Sequence, residues 1–236
     1  MKLTYIHHSG FLVEMEKVLL LFDFVDGELP ELSPEKELMI FVSHRHADHF
    51  SSKIFELAKV HPRIRFVMSD DIWQNRVPEE MGCHTEFIDP GEVLELPEGD
   101  GVCITAFKST DEGVAFMVQT EGKTIYHAGD LNNWRWNGET KAWNNNMAAN
   151  YTRELVKMRD QEFKPDVAMV PLDGRLEDCF YLGLDEFMKT VGAGFVLPMH
   201  CWDDFGVIGQ LKAMDCSADY REKVADIEKA GQSWVL

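Results

Sequence analysis

A short apolar stretch, Glu37-Leu38-Met39-Ile40-Phe41-Val42, stops abruptly in the run Ser43-His44-Arg45-His46-Ala47-Asp48-His49. Its length and bulk read as a strand rather than a helix, so the imidazoles that follow sit on a loop at the strand's C-terminal end. Isolated histidines are common in loops, but three imidazoles and a carboxylate at this density mark a metal site. His44 and His46 are separated by one residue, so on extended backbone both side chains project to the same side and can share one ion. A turn after His46 sets Asp48 and His49 a few ångströms away, where a second ion would lie roughly 3.5–4 Å from the first.

The rest of the chain supplies the scaffold. Short strands are expected at 2–6, 11–15, 18–24, 37–42, 64–68, 84–88, 92–96, 102–107, 113–120 and 123–128, with a short serine-capped helix from Ser51 to Lys59. After Asp130 a Trp- and Asn-rich stretch leads into a helix ending near Glu162. A strand at Val167 to Val170, a helix near Asp185 to Val191, a strand at Phe195 to Leu197 and one or two helices between 207 and 230 complete the pattern. Two sheets of this size with flanking helices predict an α/β fold, a four-layer αββα sandwich over residues 1–236 as one domain.

Composition narrows the function. Asp and Glu total 41 against 23 for Lys and Arg, a formal charge of -18, which repels nucleic acid and anionic membranes. Five cysteines without a CxxC pair fit reduced thiols, and Cys201 beside His200 reads as a bystander. The first residues contain no apolar core of signal-peptide length, and no run approaches the ~18 apolar residues of a membrane span. A cytoplasmic protein acting on a small molecule is expected, with a homo-oligomer left open.

His44-x-His46-x-Asp48-His49 resembles the HxHxDH signature of the metallo-beta-lactamase superfamily, and other landmarks follow in order. Tyr126-His127-Ala128-Gly129-Asp130 resembles the strand-end Gly-Asp whose carboxylate bridges two metals. Leu197-Pro198-Met199-His200 resembles the strand-end histidine that completes the second site. His7 to Glu14, followed by Leu20-Leu21-Phe22-Asp23, looks like segments of the branch that includes L-ascorbate-6-phosphate lactonase. The resemblance implies the metallo-hydrolase fold and the ligands His44, His46, Asp48, His49, Asp130 and His200. It also implies His8 at the edge of the active site and Asp23 orienting a ligating imidazole, with Asp173 in a comparable supporting role.

One position departs from that family pattern. The usual third histidine of the first site is missing from Lys108-Ser109-Thr110-Asp111-Glu112-Gly113. Asp111 supplies an oxygen there, Ser109 holds a water, or the site stays weak; Asp111 is the preferred choice. A carboxylate in place of an imidazole hardens the site, so manganese or iron competes with zinc, otherwise the expected metal. The implied chemistry is hydrolysis by a water or hydroxide activated by two divalent ions, with Asp48 and His8 as catalytic residues. Lys108, His8 and His127 are each conceivable as a general acid, although His127 reads first as a satisfied strand residue. Trp134 and Arg135, following the bridging aspartate, are expected to wall the substrate pocket. The substrate class expected is a small polar or phosphorylated ester, lactone or phosphodiester. A non-catalytic metal- or metabolite-binding protein and a metal-dependent nuclease are the alternatives.

Overall fold

The computed structural model describes residues 1–236. Seven strands form the first sheet: β1 (Lys2–His7), β2 (Gly10–Glu14), β3 (Val18–Phe22), β4 (Glu37–Val42), β5 (Ile64–Ser69), β6 (Thr85–Ile88) and the C-terminal β13 (Ser233–Val235). Their spatial order is β13-β1-β2-β3-β4-β5-β6. The second sheet contains β7 (Val93–Leu96), β8 (Val102–Lys108), β9 (Val114–Thr120), β10 (Lys123–His127), β11 (Val167–Pro171) and β12 (Phe195–Met199). It is ordered β12-β11-β10-β9-β8-β7. Each sheet changes from antiparallel to parallel pairing, the first at β3 with β4 and the second at β10 with β11.

Side-chain alternation makes the layers. On β3, Val18, Leu20 and Phe22 join the core between the sheets, whereas Leu19 and Leu21 enter a separate cluster on the outer face. On β4, Met39 and Phe41 face inward while Leu38, Ile40 and Val42 face outward. A strand buried on both faces reads as a continuous apolar run, as these two do. Helices α1 (Lys141–Asp160), α2 (Leu182–Thr190) and α3 (Gly206–Ala213) cover the second sheet. Tyr151, Leu155 and Met158 of α1 are buried into the central cluster.

The layer over the first sheet differs in kind from the expected helix. Ser52–Lys59 is 3₁₀ rather than α, capped by Ser51, whose side chain accepts from the Lys53 N–H. The segment is short, Pro62 follows closely, and packing of Ile54 and Phe55 onto the sheet, rather than helical propensity, holds the turn. Strand β13 was not expected, since three residues show no period; it adds to the edge by pairing with β1. His61 is buried, with its two ring nitrogens facing the carbonyls of Arg63 and Ser33. No helix is long and apolar enough to cross a membrane.

Candidate metal centre

The site lies where the C-terminal ends of β4, β10, β11 and β12 meet the β1–β2 turn. Ser43 joins these parts. Its backbone N–H and Oγ–H donate to the two carboxylate oxygens of Asp23 (2.7 and 2.6 Å), and its carbonyl accepts from Val114 N–H of the other sheet (2.9 Å). Gly113 makes that approach feasible: a Cβ at this residue, with φ +68°, would stand 2.0 Å from the Ser43 carbonyl oxygen. Gly129, at φ +50°, brings the β10 end close as well, with Ser43 Cβ 2.7 Å from an added Cβ.

Three imidazoles are held from behind. His49 Nδ1–H donates to Asp23 Oδ2 (2.7 Å), His200 Nδ1–H donates to Asp173 Oδ2 (2.9 Å), and His44 Nδ1–H donates to Ser43 Oγ (3.0 Å). Each arrangement fixes the ring and turns the Nε2 lone pair forward, as metal-ligating histidines are fixed. Asp173 also binds the backbone N–H and guanidinium of Arg175.

The forward atoms converge. Asp130 Oδ1 lies 3.3 Å from His49 Nε2 and 3.7 Å from His200 Nε2, while its Oδ2 lies 3.5 Å from His44 Nε2. Asp48 Oδ2 lies 3.4 Å from His8 Nε2, 3.7 Å from His200 Nε2 and 3.8 Å from His49 Nε2. His44 Nε2 and His46 Nδ1 are 3.1 Å apart. Four overlapping groups therefore have the spacing to hold cations: His8, Asp48, His49 and His200; His44, His46 and Asp48; His44, His49 and Asp130; His46, Asp111 and Asp130.

Polar atoms without partners support the fit. Buried His49 Nε2, His8 Nε2, Asp130 Oδ1 and Glu112 Oε2 make no hydrogen bond within the protein. Leaving such groups unpaired costs about 1–3 kcal/mol each, and a cation among them satisfies the acceptors. The electrostatics agree. Burial alone would lift the Asp130 carboxyl, but the surrounding His49 and His200 hold it well below its ordinary value. Burial likewise opposes Asp173, yet hydrogen bonds from His200 and Arg175 bring it down to about 2. Burial, reinforced by His49, pushes His44 down to about 4, so its ring stays neutral and free to ligate. Asp111 shifts upward through burial and the neighbouring Asp130, the signature of carboxylates crowded without a counter-charge.

Asp111 stands where the missing histidine was expected, its Oδ2 3.7 Å from His46 Nδ1. Ser109 Oγ accepts from the Asp111 N–H (3.1 Å) and shapes that turn. Glu112 was not anticipated. Its Oε2 lies 3.3 Å from His46 Nε2, and its Oε1 accepts from Arg45 (2.6 Å), the residue between the two histidines of the first pair.

The remaining candidates separate cleanly. Trp134 donates its indole N–H to the Asp130 carbonyl (2.8 Å) and packs edge-on to His200 with ring centroids 5.3 Å apart. Arg135 turns away to Asn145 (3.3 Å), and Arg175 occupies the aromatic cleft in its place. The adjacency of Arg175 to Asp173 was the available signal. His127 is a satisfied interior residue: Nε2–H donates to the Ser9 carbonyl (2.9 Å), Nδ1 accepts from Gly129 N–H (3.2 Å), and its ring stacks on Phe22. Cys201 is buried against the Met199 carbonyl, and burial raises its thiol pKa. Backbone strain collects here as well, with His8, Asp23, His200, Trp202 and Asp203 all at positive φ.

This fold with these ligand-spaced groups defines a metallo-hydrolase class of protein, and the comparisons identify the family. Residues 2–143 match the family described as Beta-lactamase superfamily domain, and the chain belongs to that superfamily. It is 26% identical to a metal-dependent hydrolase of Methanospirillum hungatei, covering 85% of this chain and 82% of that protein. A metal-dependent hydrolase of Methanosarcina barkeri is 29% identical over 89% of this chain and 86% of its own length. Among solved structures, Igni18, a metallo hydrolase from Ignicoccus hospitalis, superposes with a TM-score of 0.66 at 18% identity. That match covers 99% of this chain and 97% of Igni18, and it bears on the fold.

Proposed function

We propose that the protein, as one domain in the cytoplasm, is a metal-dependent hydrolase that uses two divalent cations on an ester, lactone or phosphodiester bond of a small molecule. The observation that carries this reading is the convergence of His44, His49 and His200 on the two oxygens of Asp130 within 3.3–3.7 Å. The curated relatives bear the name metal-dependent hydrolase, which supports the class of reaction. Placement near the L-ascorbate-6-phosphate lactonase branch rests on His7 to Glu14 and Leu20 to Asp23.

Asp48, His49 and His200 would hold one cation, and His44, His46 and Asp111 the other, with Asp130 shared and His8 left free of the cation. The nitrogen-rich group suits zinc; the carboxylate-rich group brings in manganese or iron. When bound, such cations supply Lewis acidity and lower the pKa of water to about 7. The protein's own share is orientation. Asp23 and Asp173 keep His49 and His200 in the tautomer that presents Nε2. Asp48 orients the attacking water, and His8 Nε2 beside it holds a proton where the leaving group departs. Trp134 closes one side of this space against bulk water.

Metal content of protein purified without chelator, measured alongside a panel of esters, lactones and phosphodiesters, tests the proposal. Two ions per chain with turnover that chelator abolishes is the expected outcome. One ion or none, with no turnover on the panel, favours a binding module on the same fold.

A further inference from the structure

On its aromatic side Asp111 borders a cleft of about 270 Å³, lined also by Trp134, Trp136, Trp143, Met147 and Arg175. This volume falls just under the ~300 Å³ lower end of small-molecule sites, so it takes one arm of a substrate rather than the whole. The cleft is continuous with the candidate centre at both ends: Asp111 reaches His46, and Trp134 touches Asp130 and His200.

Its walls are fixed. Trp134 and Trp136 lie nearly parallel, 8° between planes and 6.3 Å between centroids. Asn144 of α1 clamps Trp136, its Oδ1 accepting from the Trp136 N–H (3.0 Å) and its Nδ2–H donating to the Trp136 carbonyl (2.8 Å). The indole walls of the cleft favour contact with aromatic or other flat apolar groups.

Charge decides what kind of arm enters. Arg175 is the cation of the cleft, but Asp173 takes its Nε–H and Nη2–H at 3.0 and 2.5 Å. The guanidinium carbon lies 4.4 Å from the Trp202 ring centroid and 5.7 Å from that of Trp136. Paired and stacked, it acts as a flat wall more than as an anion receptor. The other charged lining group is the Asp111 carboxylate, which the hydrolase reading commits to a cation and which offers an incoming arm no positive charge.

We infer, on the basis of the hydrolase reading above, that the substrate carries an uncharged aromatic or flat apolar arm, laid against the indoles that line the cleft with the scissile bond toward Asp111 and Asp130. This narrows the substrate class: a phosphorylated or carboxylated arm meets in this cleft only a guanidinium already paired with Asp173. Arg175, Trp136 and Trp143 are thereby specificity residues.

Binding and turnover test it separately. By ligand-observed NMR on the metal-loaded protein, benzyl alcohol binds, and 4-(hydroxymethyl)benzenesulfonate binds more weakly. Trp136→Ala and the more exposed Trp143→Ala each weaken benzyl alcohol by roughly tenfold, the scale of a lost aromatic contact. In turnover, benzyl acetate is preferred over ethyl acetate in kcat/KM, and the same substitutions shrink that ratio. Because Trp143 sits at the solvent-facing start of α1, its variant reports on the cleft even where Trp136→Ala fails to fold. Benzyl alcohol binding that depends on Trp143, without turnover of any ester, upholds the cleft and defeats the hydrolase reading. Turnover with no aromatic preference, or affinity unchanged by Trp143→Ala, overturns the inference and leaves hydrolysis standing. Tighter binding of the sulfonate than of the alcohol overturns it too.

Discussion

The two halves of the candidate centre are built to different standards. On one side His49 and His200 are buried, and each ring is fixed by a buried carboxylate, Asp23 or Asp173. On the other, His46 is 42% exposed, and both of its nitrogens face carboxylates that are themselves partly exposed, Asp111 and Glu112. The first half spends buried hydrogen bonds on orientation before any cation arrives. The second half gathers negative oxygens around one imidazole and leaves their positions to adjust. The difference separates affinity set by preorganisation from affinity set by charge, and the two respond differently to mutation.

The largest effect is expected from Asp130→Ala, which removes the oxygens common to both halves. Metal content by elemental analysis should fall below one ion per chain, and turnover by about 10³-fold or more. Unchanged stoichiometry would show that Asp130 does not link the halves.

Next is Asp23→Ala, which acts directly on the preorganised half and reaches His44 of the other only through Ser43. Metal affinity there should weaken about 10–100-fold, and stability should drop by about 1–3 kcal/mol because the Ser43 N–H loses its buried acceptor. Competition against a fluorescent chelator and a melting curve read the two effects separately. Equal weakening of both cations would argue against two independent halves.

Asp111 sharpens the comparison from the other side. Asp111→His supplies an imidazole where carboxylates now cluster, so the ratio of zinc to manganese retained in a mixed-metal dialysis should rise several-fold. Asp111→Ala should weaken one cation without lowering the melting temperature of the metal-free protein. A large stability loss would mean that the loop, rather than the ligand, had been damaged.

The smallest effect belongs to Glu112→Gln. Its carboxylate is shared with Arg45 across a partly exposed ion pair, and such pairs are worth about 0–1 kcal/mol. A change in metal affinity of no more than a few-fold is expected. A loss as large as that of Asp111→Ala would make Glu112 a ligand in its own right.

Much of this was readable along the chain because its signals are local. Strand periods placed nearly every element to within a few residues, and His44, His46, Asp48 and His49 announced themselves by spacing over a single loop. Asp130 and His200 were legible only through resemblance, since nothing in their own neighbourhoods predicts convergence. Glu112 and Arg175 were passed over, as one reads locally as a turn residue and the other as a surface charge. Arg135 drew attention by standing next to Trp134, yet its side chain points elsewhere.

What the order of residues determines by itself is therefore the set of chemical groups and their short-range periodicity: apolar strands, a dense imidazole loop, an aspartate where a histidine was expected. Tertiary structure alone decides which nitrogens face forward, because that depends on Asp23 and Asp173 arriving from 26 and 27 residues away. It also decides that Gly113 lets one sheet's loop press against Ser43 of the other. Orientation is a property of contacts between distant segments, and those exist only after the two sheets close over their shared core.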